Sequence, residues 1–176
     1  MVAGFAHLHL HSEYSLLDGA CRISDIPKKA AKEGHTAVAI TDHGVMYGAV
    51  AFYRACKDAG VKPIIGCEVY VARRTRFDKD GKLDSSGHHL VLLVKNEEGY
   101  RNLIKMVSLG FTEGFYSRPR VDKELLRTHS KGLVALSGCV AGEIPQKILE
   151  GDIAGARETA LALRDIFEAD SFYLEI

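Results

Sequence analysis

Short runs of apolar residues recur along the chain, and segments with helical spacing of apolar residues separate most of them. Apolar runs without polar alternation are typical of strands covered on both faces, as in parallel α/β sheets. Repeated strand-helix units indicate a doubly wound sheet or a barrel. On this basis six strands are predicted: 5–11, 36–44, 62–72, 88–96, 132–139 and 172–176.

Four helices are predicted between these strands. The first follows a Ser24 cap and ends at Gly34, because serine satisfies free backbone donors and glycine accepts the left-handed turn. A second begins after an Asn96 cap and carries an apolar stripe on one face. The remaining two cover 48–60 and 152–169.

One connection departs from the alternating pattern. Residues 73–87 are polar and lack a helical stripe, whereas a parallel crossover usually needs a helix. The predicted strands 62–72 and 88–96 are therefore expected to form a long antiparallel hairpin. Basic and acidic residues interleave in 73–87, which favours a solvated surface, with contact to a nucleic-acid backbone as the alternative.

Charge and cysteine content exclude several classes of protein. The 23 basic and 23 acidic residues balance, so the chain lacks the basic footprint of a domain that grips nucleic acid alone. No apolar run approaches a membrane span, and the start does not resemble a signal peptide. No membrane partner is therefore expected, and four scattered cysteines without a CxxC pair indicate a reducing, cytoplasmic setting.

Three histidines occupy every second position of the first predicted strand. Side chains alternate along a strand, so His7, His9 and His11 are expected to share one face. Neighbouring members of this set lie about 6.6 Å apart at the backbone, and their rings can converge on one ion. A surface stripe or hydrogen-bonded core histidines explain the pattern equally well, so this motif alone decides nothing.

Polar residues at the ends of other predicted strands favour the metal interpretation. Asp42 and His43 end the second strand, His89 begins the fourth, and Cys139 ends the fifth. Glu68 lies between apolar neighbours, where a carboxylate is costly unless it is paired or binds a metal. The hairpin brings His89 toward Glu68. Functional groups in parallel α/β folds gather at such strand ends.

Several stretches, taken together, resemble a known family. They are "HLHLHSEYSLLDG", "AITDHGVMYGAVAFY", "AGVKPIIGCEVYV", "HHLVLLVKNEEGYRNLIKMVS", "GFYSRPRVDKELL" and "GLVALSGCVAGEIPQ". They resemble the N-terminal PHP (polymerase and histidinol phosphatase) domain of the alpha subunit of bacterial DNA polymerase III. The resemblance covers essentially the whole chain. "GFYSRPR" and "LSGC" favour the polymerase branch over a free-standing histidinol phosphatase.

The resemblance implies an α/β fold, a distorted (β/α)7 TIM-like barrel, of which about six strands are present, with an antiparallel hairpin at the third and fourth. It also implies up to three divalent metal ions at one rim. The implied ligands are His9 and His11 in the first site, a bridging Glu68, His89 and Cys139 in the second site, and Asp18 and His43 in the third. Asp18, His43 and Glu68 are the implied catalytic residues, and His7 is not a ligand.

The resemblance further implies that residues 1–176 are a single PHP domain, incomplete at its C-terminus. The family carries a late Asp-x-His pair after the strand that corresponds to "FYLEI". That pair supplies one ligand each to the first and third sites. The chain is therefore expected to bind fewer ions than a whole domain and to show little or no hydrolysis.

The implied chemistry is phosphoester hydrolysis assisted by zinc, manganese or iron, which suit imidazole, carboxylate and thiolate ligands. In a polymerase this would be 3′–5′ exonuclease proofreading, with the 3′ end of a DNA primer as substrate. The other polymerase domains, and a separate proofreading subunit, are the expected partners. Two alternatives stay open: a metal-stabilised scaffold without catalysis, and a stand-alone phosphatase for small molecules.

Overall fold

The computed structural model describes residues 4–176, and one mixed six-stranded sheet forms the centre of this part of the chain. The predicted strands that start at 36, 62, 88, 132 and 172 are confirmed, most of them with shorter bounds. The strands are β1 (Ala37–Ile40), β2 (Lys62–Val71), β3 (His88–Val94), β4 (Arg120–Val121), β5 (Leu133–Leu136) and β6 (Phe172–Tyr173).

All four predicted helices are confirmed, and the structure adds three further short ones. They are α1 (Ile26–Lys32), α2 (Ala49–Asp58), α3 (Gly81–Asp84), α4 (Glu97–Thr112), α5 (Lys123–His129), α6 (Glu143–Leu149) and α7 (Ile153–Arg164). Asn96 caps α4 by accepting a hydrogen bond from the Gly99 N–H. Asp25, not Ser24, takes the cap position of α1, without a side-chain bond. Within residues 4–176, every helix is too short or too polar to cross a membrane.

The sheet has the order β1-β2-β3-β5-β6, and β4 pairs with β2 outside this path. β1 is parallel to β2, and β5 is parallel to β6. β3 is antiparallel to both β2 and β5, so the predicted hairpin is confirmed. The carboxyl ends of β1, β2, β5 and β6 therefore meet the amino end of β3 at one edge of the sheet, which we call the rim.

The prediction of a first strand over 5–11 was wrong: the segment makes isolated hydrogen bonds to the β1 side, but it does not form a regular strand. The Ala39 N–H donates to the His7 carbonyl, and the Thr41 N–H donates to the Leu10 carbonyl. The segment thus advances by three residues, from His7 to Leu10, where the β1 side advances by two, from Ala39 to Thr41. One extra residue is the defining feature of a β-bulge, and it breaks the alternation of side chains.

The two faces of β2 have different roles. Cys67 and Val69 enter the largest apolar cluster together with Leu103 and Met106 of α4. Alternate residues of a strand point to opposite faces, so Glu68 projects away from this cluster. The helices α1 and α2 form a second apolar cluster against β1. Packing on one face of β2 thereby fixes the orientation of the carboxylate on the other.

The basic stretch in 73–87 is not simply a solvated surface, and this expectation was wrong for Arg76. The Arg76 side chain is only 9% exposed and pairs with Glu113, Asp122 and Glu124 at 2.6–3.1 Å. Arg120 is fully buried. Its guanidinium donates to the carbonyl oxygens of Gly114, Asp84, Arg76 and Asp78. This loop is therefore tied to the body of the domain by buried charge-assisted bonds.

Replacing Arg120 by lysine should destabilise the protein by about 3 kcal/mol, because a lysine cannot reach all four carbonyl oxygens and would leave buried acceptors without a donor. The free energy of unfolding in urea measures this cost. The exposed Arg157→Lys should change it by no more than about 0.5 kcal/mol. A cost below about 1 kcal/mol for Arg120→Lys would contradict the assigned role.

Candidate functional site

The rim is continuous with the β1–β2 ladder. The Glu68 N–H donates to the Asp42 carbonyl, and the Gly44 N–H donates to the Glu68 carbonyl. Gly44 has a φ of 65°, and a Cβ there would lie 2.9 Å from Pro119 and 3.0 Å from the Tyr70 ring. Glycine therefore lets the chain turn immediately after His43, whose side chain stays beside Glu68.

Glu68 is the centre of the site. Its side chain has no solvent exposure. Its Oε2 lies 2.7 Å from His43 Nδ1, 3.2 Å from His11 Nε2 and 3.5 Å from His9 Nε2. Its Oε1 lies 2.5 Å from His89 Nδ1. Four imidazoles from three separate parts of the chain thus surround one buried carboxylate.

Asp18 and Cys139 lie at the edge of this cluster. The Asp18 carboxylate is 3.0 Å from His43 Nε2. The Cys139 Sγ lies 4.0 Å from Glu68 Oε1 and 3.9 Å from His89 Nδ1. The structure therefore brings together all seven residues that the sequence singled out as metal ligands, and their roles as ligands remain a prediction.

His7 does not share this site, contrary to the expectation that the three histidines line one face. Its ring packs 4.8 Å from Phe5 and 5.5 Å from His35, measured between ring centroids. His9 and His11 reach Glu68 instead. The extra residue in the first segment explains the separation, because the alternation of side chains does not continue through a bulge.

Sequence reasoning missed two contributors to the site. The Glu175 carboxylate lies 2.6 Å from His9 Nδ1. Asp42 was noted only for its position; it is buried and accepts hydrogen bonds from the hydroxyls of Ser12 and Ser15, both 2.7 Å long. An acid inside the apolar run "FYLEI" was the available signal for Glu175, by the same argument that singled out Glu68.

The donor set fits divalent ions. Two groups of three residues have ligand atoms that all lie within 4.8 Å of one another, and Glu68 belongs to both. Among the described residues, four buried atoms of these groups make no well-aligned hydrogen bond, although His43 Nδ1 and Glu68 Oε2 lie only 2.7 Å apart: His9 Nε2, His11 Nδ1, His43 Nδ1 and Glu68 Oε2. Buried polar atoms are rarely left unpaired in proteins. The groups are His9, His11 and Glu68, and His43, Glu68 and His89.

The pKa values show how strongly these groups interact in the ion-free protein. Burial lowers the pKa of His9, but its contacts with Glu175 and Glu68 outweigh burial and raise it to about 10. Contact with Glu68 raises the pKa of His43, whereas burial and then His43 lower the pKa of His11. Burial opposes ionisation of Glu68, but contacts with the imidazoles, led by His43, lower its pKa well below the ordinary value. Protons on the imidazoles thus compensate the buried carboxylate.

A cleft of about 390 Å³ opens beside the cluster. Asp18 and His43 line it, together with Tyr14, Tyr47 and Arg118. The Arg118 guanidinium donates to the Tyr70 hydroxyl at 2.8 Å and lies 4.9 Å from the centre of that ring. The cleft thus combines aromatic walls with one oriented cation.

Comparison with known proteins gives the family. The sequence profile described as "PHP domain" matches residues 7–176. The chain therefore belongs to the PHP domain family. The fold agrees with a protein from Bifidobacterium adolescentis provisionally described as a metal-dependent phosphoesterase, at a TM-score of 0.51 and 13% identity over 93% of this chain and 84% of that one. The fold also agrees with that of an amidohydrolase from Chromobacterium violaceum, at a TM-score of 0.50 and 15% identity. This match covers 96% of this chain and 87% of that one.

Relatives with similar sequences are alpha subunits of DNA polymerase III. The chain is 49% identical over 173 residues to a DNA polymerase III subunit alpha from Borreliella burgdorferi, covering 98% of the chain and 15% of that protein. It is 51% identical over 166 residues to the subunit from Chlamydia muridarum, covering 94% and 13%. It is 49% identical over 176 residues to the subunit from Thermus aquaticus, covering 98% of the chain and 14% of that protein. The chain thus spans about one seventh of the length of these relatives.

The metal-free protein should be most stable between about pH 4.5 and 6.5, the ordinary pKa values of the carboxyl and imidazole groups. The raised pKa values of His9 and His43 contribute stability that is complete below 6.5 and is lost as the pH rises toward 10. The lowered pKa of Glu68 contributes stability that is lost as the pH falls below 4.5. The lowered pKa of His11 has the opposite effect on stability to the raised pKa of His9, because it favours the folded protein as the pH rises.

Urea unfolding in a chelating buffer measures this effect. The free energy of unfolding should fall by about 1 kcal/mol or more from pH 6 to pH 9, since one pKa unit corresponds to about 1.4 kcal/mol. Glu175→Gln should reduce the fall, because it removes one of the contacts that raise the pKa of His9. Exposed Glu158→Gln should leave it unchanged. Equal or greater stability at pH 9 would contradict the charge assignment.

Proposed function

We propose that this chain is the metal-dependent phosphoesterase domain of a bacterial DNA polymerase III alpha subunit, and that the intact subunit uses this domain for 3′–5′ exonuclease activity toward a DNA primer. The single observation that carries the proposal is the buried Glu68 carboxylate shared by two groups of potential metal ligands. Pairs of closely spaced metal ions are used by phosphatases and nucleases to hydrolyse phosphate esters, and a shared carboxylate can hold two ions at such a spacing. Membership of the PHP family and the polymerase relatives supply the biological setting.

The proposed ligands form three sets, of which the first two share Glu68. His9 and His11 hold one ion with Glu68, and Glu68, His89 and Cys139 hold the second. The third set is Asp18 with His43. His43 faces Glu68 through Nδ1 and Asp18 through Nε2, so this ring connects the second and third sets. Imidazole, carboxylate and thiolate together suit zinc, manganese or iron.

When bound, such ions polarise a phosphate ester and lower the pKa of water, which supplies the nucleophile. The residues of the chain hold the reactants in place. Glu175 accepts a hydrogen bond from the Nδ1–H of His9 and thereby leaves Nε2 directed toward Glu68. The buried Asp42, held by the Ser12 and Ser15 hydroxyls, fixes the loop that carries His43.

The cleft beside the cluster suits the end of a DNA strand. Arg118 offers a guanidinium to a phosphate group, and the exposed rings of Tyr14 and Tyr47 offer surfaces for stacking of unpaired bases. The charges of the chain balance, so this cleft alone provides little attraction for the DNA backbone. The proposal therefore assigns the grip on DNA to the other polymerase domains, in the bacterial cytoplasm, with a separate proofreading subunit as a further partner.

The test uses the purified full-length polymerase subunit that contains this domain, a primer with a 3′ mismatch, and manganese. Nucleotide release should depend on the metal and should fall on the order of 10²-fold or more in Glu68→Gln and His43→Ala, because misplaced reacting groups cost at least that much. His129→Ala is the matched control, since His129 ends α5 outside all three groups. Its activity should equal that of the wild type.

Metal content, measured on the same samples, separates the proposal from its main alternative. Wild-type protein that holds metal ions but releases no nucleotides would contradict the exonuclease assignment and would favour a metal-stabilised scaffold. Equal release by wild type and by both rim variants would show that hydrolysis occurs elsewhere. Polymerisation by each variant shows whether the rest of the subunit has folded.

A further inference from the structure

A third group of potential metal ligands lies outside the rim. His7, Glu33 and His35 each offer one ligand atom, and these atoms all lie within 4.8 Å of one another. None of the three belongs to the groups around Glu68. We propose that His7, Glu33 and His35 form a separate site for a divalent transition-metal ion of the zinc type, which clips the N-terminal segment to the end of α1.

The backbone holds the three side chains in register. The His7 carbonyl accepts a hydrogen bond from the Ala39 N–H of β1. At the end of α1, the Gly34 N–H donates to Ala31 and the His35 N–H donates to Ala30. Gly34 has a φ of 79°, as in the left-handed turns that end many helices. This turn places Glu33 and His35 on either side of one glycine, next to the first segment.

The side chains are available to an ion. His35 is only 15% exposed at its side chain, yet its Nδ1 is among the buried atoms without a hydrogen-bond partner within residues 4–176. That nitrogen lies 4.0 Å from Glu33 Oε2. The Phe5 ring packs against both imidazoles, with centroid distances of 4.8 Å to His7 and 5.2 Å to His35. An apolar wall of this kind restricts the rotation of both rings.

The chemistry of the set is that of zinc. Two imidazoles and one carboxylate are common ligands of zinc sites that keep a fourth position for water. Bond lengths of about 2.1 Å in a tetrahedral site place the ligand atoms about 3.4 Å apart, so the side chains must close by up to about 1.4 Å. A neighbouring cavity of about 430 Å³, lined by all three residues, leaves room for the water.

Two properties of Glu33 determine how easily its carboxylate can move toward the two histidines. The Glu33 side chain is 44% exposed, so it rotates freely toward the histidines. It also lies 3.7 Å from Lys29 Nζ, and this exposed pair must separate when an ion binds. Exposed pairs of this kind contribute little, and many have no measurable effect. The cost of releasing Glu33 is therefore small beside two imidazole bonds.

The site would support the rim without taking part in hydrolysis. The N-terminal segment has no regular strand pairing, and it carries His9 and His11. An ion at His7 would fix this segment two residues before His9. The proposal is independent of the exonuclease assignment, because a scaffold domain would need the same anchor.

Titration with zinc, followed by the nitrogen signals of the histidine rings in NMR spectra, tests the proposal on the 176-residue chain. The His7 and His35 rings should both respond to zinc. Glu33→Gln should weaken the affinity measured at these two rings by about tenfold or more, since even supporting residues around a metal cost that much. The matched control is Glu158→Gln, which is exposed and lies outside every ligand group.

Further variants and the rim signals keep the result unambiguous. His35→Ala should abolish the response of His7, and unfolding in urea shows whether this variant still folds. Glu33→Gln changes an exposed side chain and keeps the test valid if His35→Ala does not fold. The His9 and His11 signals report metal binding at the rim separately. No response at His7 and His35, or an equal response in Glu33→Gln, would overturn the proposal.

Discussion

A fully buried carboxylate organises the rim of this domain. Burying a charge without compensation costs several kcal/mol, even after the protein relaxes around it. Glu68 meets this constraint with four imidazoles from three parts of the chain: the N-terminal segment, the end of β1 and the start of β3. The compensation comes from protons on these rings or from cations between them. Either solution requires the same side chains in the same places, so one electrostatic demand determines how these segments meet.

The direction of β3 makes this meeting possible. Because β3 runs antiparallel to β2, its first residues lie at the edge where β1 and β2 end, and His89 reaches Glu68. The connection between β2 and β3 is long and polar, and it would be mobile without an anchor. Buried Arg76 and Arg120 provide that anchor through carboxylates and carbonyl oxygens. Stability in this loop therefore supports geometry at the rim.

The N-terminal segment shows how one extra residue redistributes function. A regular strand would direct His7, His9 and His11 to one face. The bulge sends His9 and His11 to the rim and leaves His7 beside His35. His9 and His11 thus belong to the cluster around Glu68, whereas His7 and His35 belong to a separate cluster. Bulges next to functional sites commonly redirect side chains in this way.

The sequence pattern predicted most of the sheet and the hairpin, and the family resemblance supplied the seven expected metal ligands at the rim. Continuous apolar runs report burial, the polar 73–87 link excludes a crossover helix, and an acid within an apolar strand demands a partner. The burial of Arg120, the direction of His7 and the approach of Glu175 to His9, 166 residues away, could not be predicted from the sequence. Periodicity describes neighbours along the chain, whereas these features depend on contacts between distant segments and on a one-residue offset that leaves no periodic signal.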